Sequence, residues 1–406
     1  MKSINIVLIL WFTLITNQVS AQFCTDDNRF SEIEVFTNSQ IDSLTNVNYA
    51  NVYNWEGVSE ELKMDFYFPK NEIDPLTNRP FILLIHGGGF IEGNKSRYNF
   101  ECRKLAKRGF VVATINYRLG FDESDSSNLV NALYRAQQDA NAALRYSIEI
   151  SPALEIETSW MFLGGGSAGS ITSLFTKYMS QAEWNSLFSG IESNLGSIDT
   201  SGNDLTHTFD IKGLLNQWGA GPDTATNTNE LIPMISFHGA LDNVVPIGEG
   251  PFDTIGSQIL HDRLIDNGVC SDFTLDPLGN HVVFNTLEDR EFMVNRTCCF
   301  FKSMFCEDCS SFFSTEQIAA DCANTLSIDE LSTDNQVAVF PNPFKDQINF
   351  TTLSGNEYFY LYDIHGHIIY EGSDIKSQSF YQVSTGLYIL MIHDDEQQQT
   401  LKLYKE

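Results

Sequence analysis

Short apolar segments alternate with amphipathic segments along the chain as far as residue 305. Continuous apolar runs predict strands that are buried on both faces of a sheet, and apolar residues spaced three and four apart predict helices. The predicted strands are 64–68, 81–85, 110–117, 159–163, 211–218, 233–237 and 273–275, and the predicted helices are 99–107, 129–150, 171–179, 257–265 and 287–305. This alternation indicates βαβ units, so we expect an α/β fold with a mainly parallel sheet and helices on both faces.

The pattern is different at both ends of this region. Residues 22–60 are polar and are predicted to be irregular, and residues 310–333 are rich in Ser, Thr, Asp and Asn and are predicted to be a linker. From Val337 onward, short alternating segments are separated by turn residues, which is typical of a small antiparallel β-sandwich. We therefore predict a main domain at 22–309, a linker at 310–333 and a second domain at 334–406.

The N-terminus has the three parts of a signal peptide. Lys2 provides a positive charge, an apolar run extends from Ile4 to Ile15, and the cleavage site is the small-residue sequence Val19-Ser20-Ala21. The run is too short for a comfortable transmembrane helix, and no other stretch of the sequence is long and apolar enough to span a bilayer. We predict that residues 1–21 are removed and that the mature chain has no transmembrane segment.

The formal net charge of −29 argues against nucleic acid and anionic membrane surfaces as partners. An even number of cysteines in an exported chain favours disulfides, although eight cysteines allow 105 connectivities. Cys306-x-x-Cys309 is compatible with half of a zinc site, but no histidine lies nearby. We therefore expect disulfides and no metal, with buried thiols as the remaining alternative.

Gly165-Gly166-Ser167-Ala168-Gly169 is a G-x-S-x-G sequence between a predicted strand and a predicted helix. In this setting the serine occupies a sharp, strained turn that exposes its hydroxyl group, and the next N–H points to the position where an oxyanion would form. Small flanking residues allow the strand and the helix to approach closely. Ser167 is therefore the candidate nucleophile, and Ala168 is a candidate oxyanion donor.

A serine nucleophile requires a base and an acid, which follow it along the chain in this fold class. His281 lies in a loop after the last predicted strand and is the preferred base, whereas His261 is predicted to lie on a surface helix. Asp242 follows the strand 233–237 and is the preferred acid, with Asp276 as the alternative. His238 is predicted to be structural, within the loop that presents Asp242.

Preorganised N–H donors stabilise the oxyanion of acyl transfer. His86-Gly87-Gly88-Gly89 follows a buried strand, and Gly88 and Gly89 are the predicted donors together with Ala168. A glycine-rich loop can also bind phosphate. However, the sequence contains no G-x-x-x-x-G-K-[ST] motif and no acidic residue at the position that would bind the ribose of a nucleotide. The sequence therefore predicts neither a nucleotide nor any other cofactor.

Residues 60–305 resemble the α/β-hydrolase superfamily, within its HGGG-type carboxylesterase and lipase branch. The resemblance rests on the following segments, which occur in the family order: LKMDFYFP, ILLIHGGGF, LAKRGFVVATINYRLG, QDANAALRY, GGGSAG, FHGALDNVVP and GNH. Gly166 and Ser170 depart from the type B carboxylesterases, which usually carry Glu and Gly at these positions, and the domain is shorter than theirs. The resemblance implies ester hydrolysis without indicating a subfamily.

The C-terminal segment resembles the sorting domain of the type IX secretion system. Phe340-Pro341-Asn342-Pro343-Phe344, LYDIHGHII and Ser384-Thr385-Gly386-Leu387-Tyr388 occur in order within residues 334–406. The resemblance implies passage through the periplasm, interaction with the type IX machinery, and secretion or attachment at the cell surface. A small carbohydrate-binding or adhesive domain is the alternative.

Together these features predict a secreted serine hydrolase of carboxylic esters, with acyl groups on polysaccharides as a possible substrate. Lipase and polyester hydrolase activities are alternatives for the same site. A serine peptidase and a non-catalytic binding protein of this fold are also considered. Residues 120–128, 181–210 and 217–230 are expected to form the pocket walls.

Overall fold

The computed structural model describes residues 23–24, 27–125, 127–322, 339–340, 344–350, 357–363, 368–393 and 398–405. The chain divides into two compact units, Met1–Leu326 and Ser327–Glu406. The predicted signal peptide lies outside the described residues, as do residues 323–333 of the predicted linker and residues 341–343 and 364–367 of the sorting motifs.

The first unit alternates strands and helices, as its sequence pattern predicts. Its strands are β1 (Ile41–Tyr53), β2 (Ser59–Pro69), β3 (Arg79–Ile85), β4 (Val111–Ile115), β5 (Ile156–Gly166), β6 (Ile211–Gln217), β7 (Ala220–Pro222), β8 (Met234–Gly239), β9 (Glu249–Gly250), β10 (Thr254–Gly256), β11 (Ser271–Asp276) and β12 (Phe312–Ser314). Its helices are α1 (Asn99–Ala106), α2 (Asn128–Glu149), α3 (Ser151–Leu154), α4 (Ala168–Tyr178), α5 (Gln181–Leu187), α6 (Ile191–Leu195), α7 (Asp223–Thr228), α8 (Ser257–Asp266) and α9 (Leu287–Phe305). Short 3₁₀ helices occupy Asn38–Gln40 and Lys95–Tyr98.

Within the described residues, nine strands form one sheet in the order β1-β2-β4-β3-β5-β6-β8-β11-β12. The sheet is parallel from β4 to β12 and antiparallel only at β1 and β2. Successive strand residues face opposite sides, so Leu83 and Ile85 pack with α2, α4 and α8, whereas Ile82 and Leu84 pack with α1 and α9. The predicted mainly parallel sheet with helices on both faces is confirmed.

Strand β1 is absent from the sequence-based prediction, which treats residues 22–60 as irregular. Among the described strands it is an edge strand that pairs with β2 alone, and it contains two register shifts, one of which surrounds Asn46 at φ 56°. An edge strand tolerates polar residues and bulges because only one of its sides is paired. Its Asn-rich sequence therefore lacks the apolar run by which the central strands are recognised.

The sheet also extends beyond the predicted boundary at residue 309. Phe312–Ser314 pairs in parallel with β11 as the ninth strand, although these residues fall in the predicted linker. The segment is short and lies at the sheet edge, so its sequence carries little strand signal. Among the described residues, no helix combines the length and apolar character required to cross a membrane.

Three disulfides connect the end of the first unit to earlier segments, in agreement with the predicted use of cysteine. They join Cys24 to Cys306, Cys270 to Cys309 and Cys299 to Cys322. Cys306 and Cys309 thus have different partners and do not form half of a zinc site. The Glu32 carboxylate and the Cys299 and Cys322 sulfurs lie within 4.8 Å of one another, but the disulfide leaves neither sulfur as a thiolate that could bind a metal ion. Cys102 and Cys298 are buried free thiols.

The second unit contains antiparallel strands, which confirms the predicted fold class. Its strands are β13 (Val339–Phe340), β14 (Asn349–Phe350), β15 (Tyr358–Asp363), β16 (Ile368–Gly372), β17 (Gly386–His393) and β18 (Gln398–Lys405). In the described residues, β13 pairs with β14, and the other four form a sheet in the order β16-β15-β17-β18. Phe344, Ile348, Phe359, Leu361 and Leu390 belong to its apolar core.

Candidate active site

Ser167 occupies the turn between β5 and α4, where the main parallel strands reach their carboxyl ends. Its backbone has φ 55° and ψ −125°, a conformation that side-chain-bearing residues rarely adopt. The turn is tight because the chain passes close to β3: a Cβ atom at Gly165 or Gly169 would lie 2.2 or 2.0 Å from the carbonyl oxygen of Ile85. Glycine is therefore required at both positions, and the strained turn projects the Ser167 hydroxyl group.

His281 lies in the loop after β11 and contacts Ser167 and Asp242 through its two ring nitrogens. Its Nε2 atom is 2.8 Å from Ser167 Oγ, and its Nδ1 atom is 2.7 Å from Asp242 Oδ2. Because an ionised carboxylate only accepts hydrogen bonds, Nδ1 carries the proton and Nε2 is free to accept one from the serine. Val282, next in the loop, has φ 61°, an unusual value for a β-branched residue.

Asp242 lies in the loop after β8 and is almost completely buried. Its Oδ1 atom accepts the N–H groups of Val244 and Val245, each at 2.9 Å. Burial by itself would raise the pKa of the Asp242 carboxyl, but hydrogen bonds from His238, His281 and these two N–H groups outweigh burial and hold the pKa well below its usual range. The carboxylate is therefore ionised and fixed in orientation.

The alternative residues considered from the sequence lie elsewhere. Asp276 accepts the N–H of Leu278 at its Oδ1 atom, and within the described residues it forms no hydrogen bond with His281. His261 is predicted to be on a surface helix, but its side chain is buried and its Nδ1 atom lies 2.8 Å from Ser271 Oγ. The apolar face of α8 packs on the sheet and carries His261 inward.

The glycine-rich loop after β3 lies beside Ser167. Gly88 has φ 126°, and a Cβ atom there would lie 2.0 Å from the carbonyl oxygen of Glu92, so only glycine fits. In the part of the chain that the structure describes, the N–H groups of Gly88, Gly89 and Ala168 donate to no protein acceptor. Ala168 is the first residue of α4, where an N–H has no partner within the helix. These N–H groups are therefore available to a bound oxyanion.

Two pockets meet at Ser167. The first has a volume of about 300 Å³ and an apolar lining that includes Phe121, Phe175, Trp184 and Phe188. Three of these pocket-lining residues (Phe121, Trp184 and Phe188) come from segments that the sequence predicts to be pocket walls. The lining therefore combines side chains of α4 and α5 with side chains of the connecting segments.

The second pocket has a volume of about 410 Å³ and contains His281. Its lining is more polar and includes Glu92, Arg97, Glu101 and Arg290. Glu101 and Arg290 form a two-point ion pair at 2.6 and 2.7 Å. Ser167 thus lies between an apolar pocket and a pocket with charged walls.

A side chain at position 166, where type B carboxylesterases usually carry Glu, would meet a buried tyrosine. A Cβ atom at Gly166 would lie 3.0 Å from the hydroxyl oxygen of Tyr98, which donates to Gln217 Oε1 at 2.7 Å. The buried tyrosine thus occupies the space next to residue 166. The sequence pattern contains no sign of this contact because the two residues are brought together only by the fold.

The chain matches two family models. The family described as BD-FAE, a family of α/β-hydrolase esterases, matches residues 64–230. The family described as secretion system C-terminal sorting domain matches residues 338–406. Both resemblances inferred from the sequence are confirmed, and the sorting domain assigns the chain to the type IX secreted or cell-surface proteins.

The similar curated proteins share only one segment with this chain. A methylphloroacetophenone synthase of Cladonia uncialis is 36% identical over 104 residues, which are 25% of this chain and 4% of that protein. A probable isoprenylcysteine alpha-carbonyl methylesterase of Oryza sativa is 31% identical over 26% of this chain and 23% of its own length. Esterase B1 of Culex pipiens is 31% identical over 28% and 21%, respectively. The chain therefore spans less than a quarter of each of these relatives.

Similar solved structures include two bacterial esterases. Thermogutta terrifontis esterase 2 with butyrate bound has a TM-score of 0.46 and 18% identity, and the match covers 61% of this chain and 90% of that chain. Esterase B of Lactobacillus rhamnosis has a TM-score of 0.46 and 16% identity, with coverage of 66% and 88%.

Proposed function

From the BD-FAE domain and the C-terminal sorting domain that the chain carries, we propose that the protein is an exported serine hydrolase of carboxylic esters. The observation that carries this proposal is the unbroken hydrogen-bond line from Ser167 through His281 to Asp242. In this proposal Ser167 is the nucleophile, His281 the base and Asp242 the acid that orients the base. No metal or organic cofactor takes part.

The reaction follows from the positions of the protons. His281 Nε2 accepts the Ser167 proton as Oγ attacks the acyl carbon, and Asp242 stabilises the resulting imidazolium. The imidazolium then gives the proton to the leaving alcohol, which separates from the acyl-enzyme. Water, deprotonated by His281, then attacks the acyl carbon. The bond between the acyl carbon and Ser167 Oγ breaks, His281 returns the proton to Oγ, and the carboxylic acid is released.

Gly88, Gly89 and Ala168 supply the proposed oxyanion hole. Their N–H groups have no other acceptor in the described part of the chain, and the strained turn at Ser167 holds Oγ beside them. Each preorganised donor of this kind contributes about 10²–10³-fold to kcat in acyl transfer. The oxyanion therefore meets fixed dipoles without reorganisation of the loop.

The two pockets indicate how an ester is oriented. The leaving alcohol must lie on the side of His281, which protonates it, and His281 lines the polar pocket. The acyl group then occupies the apolar pocket of about 300 Å³. A hydroxyl-rich alcohol suits polar, charged walls, so we propose esters carried by polysaccharides as the substrate class.

The sorting domain supports a role outside the cell. We propose that residues 1–21 direct the chain to the periplasm and that residues 334–406 are recognised by the type IX secretion machinery. The catalytic domain extends from residue 22 through the ninth strand, since β12 belongs to its sheet. Export places the active site near extracellular polymers, which are too large to enter the cell.

The full chain and Ser167→Ala should be compared in the hydrolysis of p-nitrophenyl butyrate and in labelling by a fluorophosphonate probe. Ser173→Ala is a matched control, because Ser173 lies on α4, the helix that begins directly after Ser167. Its Oγ donates to the carbonyl oxygen of Gly169. We expect Ser167→Ala to lose hydrolysis and labelling, and Ser173→Ala to keep both. Equal hydrolysis by wild type and Ser167→Ala would refute the proposal.

The substrate class requires a separate panel. Acetylated and feruloylated glycans, triacylglycerols of several chain lengths, an aliphatic polyester and a peptide set should be assayed side by side. We expect the highest kcat/KM on glycan esters. A preference for long-chain triacylglycerol or polyester would replace the polysaccharide assignment and leave the serine mechanism intact.

A further inference from the structure

Asp242 is held by a second histidine besides His281. Building on the proposed function, we propose that His238 is a positioning residue of the esterase site. It fixes Asp242 at the end of a buried hydrogen-bond chain that begins at Ser170, on the helix of the nucleophile. Ser170 is one of the two positions that depart from the type B carboxylesterases.

The chain runs through four buried side chains to the carboxylate. Ser170 Oγ donates to Asn216 Oδ1 at 2.6 Å, and Asn216 Nδ2 donates to Ser257 Oγ at 2.9 Å. Ser257 Oγ lies 2.7 Å from His238 Nδ1, and His238 Nε2 lies 3.1 Å from Asp242 Oδ2. Ser170, Asn216, Ser257 and His238 are all fully buried.

Two backbone groups determine the direction of every bond in this chain. The N–H of Gly219 donates to Asn216 at 3.0 Å, which identifies the accepting atom as the amide oxygen and leaves the amide nitrogen facing Ser257. The carbonyl oxygen of Val245 lies 2.9 Å from His238 Nε2 and can only accept, so Nε2 carries a proton. Ser257 accepts from Asn216, and among the described residues His238 Nδ1 is the partner that remains for the Ser257 hydroxyl proton, so Ser257 donates to Nδ1. His238 is thus the neutral tautomer that donates toward Asp242.

This arrangement gives each oxygen of Asp242 fixed donors. Oδ1 accepts the N–H groups of Val244 and Val245, while Oδ2 accepts from both histidines. Rotation of the carboxylate would break the hydrogen bonds at both of its oxygens. The N–H groups of Val244 and Val245 and the His238 ring therefore fix its orientation toward His281. The same hydrogen-bond chain connects the loop that contains Asp242 to α4. The first turn of α4 contains Ser170 and follows directly from Ser167.

The hydrogen bond from His238 also partly neutralises the negative charge on the Asp242 carboxylate. In the described residues, the titratable side chain that shares Oδ2 with His238 is His281, and the other groups bonded to Asp242 are backbone N–H groups. Toward His238 itself, the hydrogen-bond partners are Asp242, Ser257 and the carbonyl of Val245. Loss of the His238 donor would leave Oδ2 with a hydrogen bond from His281 alone. The Asp242 carboxylate would then be less fixed in orientation, and its negative charge would stabilise the protonated form of His281 more strongly.

The variants to compare are His238→Leu, which removes the donor, and His238→Gln, which keeps an N–H at a similar distance. His261→Leu is the matched control. His261 is also a buried histidine with its Nδ1 atom close to a serine hydroxyl, but it is not part of the hydrogen-bond chain from Ser170 to Asp242. The full chain should be assayed for kcat and KM on p-nitrophenyl butyrate from pH 5 to 9, together with the melting temperature.

We expect His238→Leu to lower kcat by about 10- to 100-fold, the usual range for a lost hydrogen bond to a charged group. KM should change little, and the acidic limb of the kcat/KM profile should move to higher pH. His238→Gln should recover part of kcat. His261→Leu should lower the melting temperature and leave kcat and the acidic limb unchanged.

The inference is overturned if His238→Leu lowers only the melting temperature, as His261→Leu does. If His238→Leu does not fold, Ser257→Ala decides, because it removes the hydroxyl group that holds His238 Nδ1 and leaves Asp242 and His281 in place. Wild-type kcat together with an acidic limb at the wild-type position in Ser257→Ala would then overturn the inference. Activity retained by Ser167→Ala would instead refute the esterase assignment, so the two failures are distinguishable.

Discussion

Replacing Asp242 by asparagine is a sharp test of the site, because the structure determines how the new amide must sit. The N–H groups of Val244 and Val245 both donate to Oδ1, so the amide oxygen of asparagine must take that position. The amide NH₂ group then occupies the position of Oδ2. It faces two histidine nitrogens that both donate to oxygen in the wild type.

The consequence is a change of tautomer in His281. His238 Nε2 keeps its proton, because it also bonds to the carbonyl oxygen of Val245. His281 Nδ1 must then accept from the asparagine amide, which moves the His281 proton to Nε2. That proton points at Ser167 Oγ, so the imidazole donates to the nucleophile and no longer accepts its proton.

We expect Asp242→Asn to lower kcat by about 10⁴-fold, the loss caused by the same tautomer change in a serine protease triad. This corresponds to about 5.4 kcal/mol of transition-state stabilisation. KM should change little, since neither pocket is lined by residue 242. Stopped assays with p-nitrophenyl butyrate and the rate of fluorophosphonate labelling would measure both effects.

Asp276→Asn is the matched control, since Asp276 is the other acid considered from the sequence and lies at the end of the neighbouring strand β11. It should retain wild-type kcat. The reasoning is refuted if Asp242→Asn stays within tenfold of wild type while it remains folded by circular dichroism. Equal losses in the two variants would also refute it.

Three further predictions concern stability. Gly165→Ala places a Cβ atom 2.2 Å from the carbonyl oxygen of Ile85 and should destabilise the fold by about 3 kcal/mol or more, measured by urea unfolding. The double variant Cys24→Ser/Cys306→Ser opens a loop of 282 residues and should lose roughly 5–6 kcal/mol by chain entropy, whereas wild-type stability in that variant would contradict the assigned pairing. Because the pKa of Asp242 lies below its ordinary ~3.9, its ionised form stabilises the fold above that pH, so the stability advantage of wild type over Asp242→Asn should shrink as the pH falls from 5 to 3.

The central strands and long helices could be predicted because their patterns are local. The helix predicted at 287–305 matches α9 residue for residue, since its boundaries are marked by an N-terminal Thr286 cap and a Cys-rich turn. Strands β1 and β12 lie at the two edges of the sheet and are not buried on both faces. Their sequences therefore carry no continuous apolar run. Their assignment depends on neighbours that are distant in sequence.

The candidate site residues can be selected from the sequence because they lie in motifs with a known chemical role. Ser167, Asp242 and His281 lie in loops after strands, in an order that one fold requires, and the structure brings them to hydrogen-bond distance. The chain from Ser170 to His238 joins residues from four segments, each an ordinary polar residue in its own context. The sequence places His238 in the loop that presents Asp242, but only the fold reveals that Ser170, Asn216 and Ser257 connect to it.

The disulfide between Cys299 and Cys322 has a consequence for proteolytic maturation. A protease that nicks the chain anywhere between these two cysteines leaves both fragments joined by the S–S bond. The C-terminal unit would then remain covalently retained on the hydrolase under oxidising conditions and would separate only after reduction. Release of the tail in an oxidising environment therefore requires a cut after Cys322, which preserves strand β12 with the enzyme.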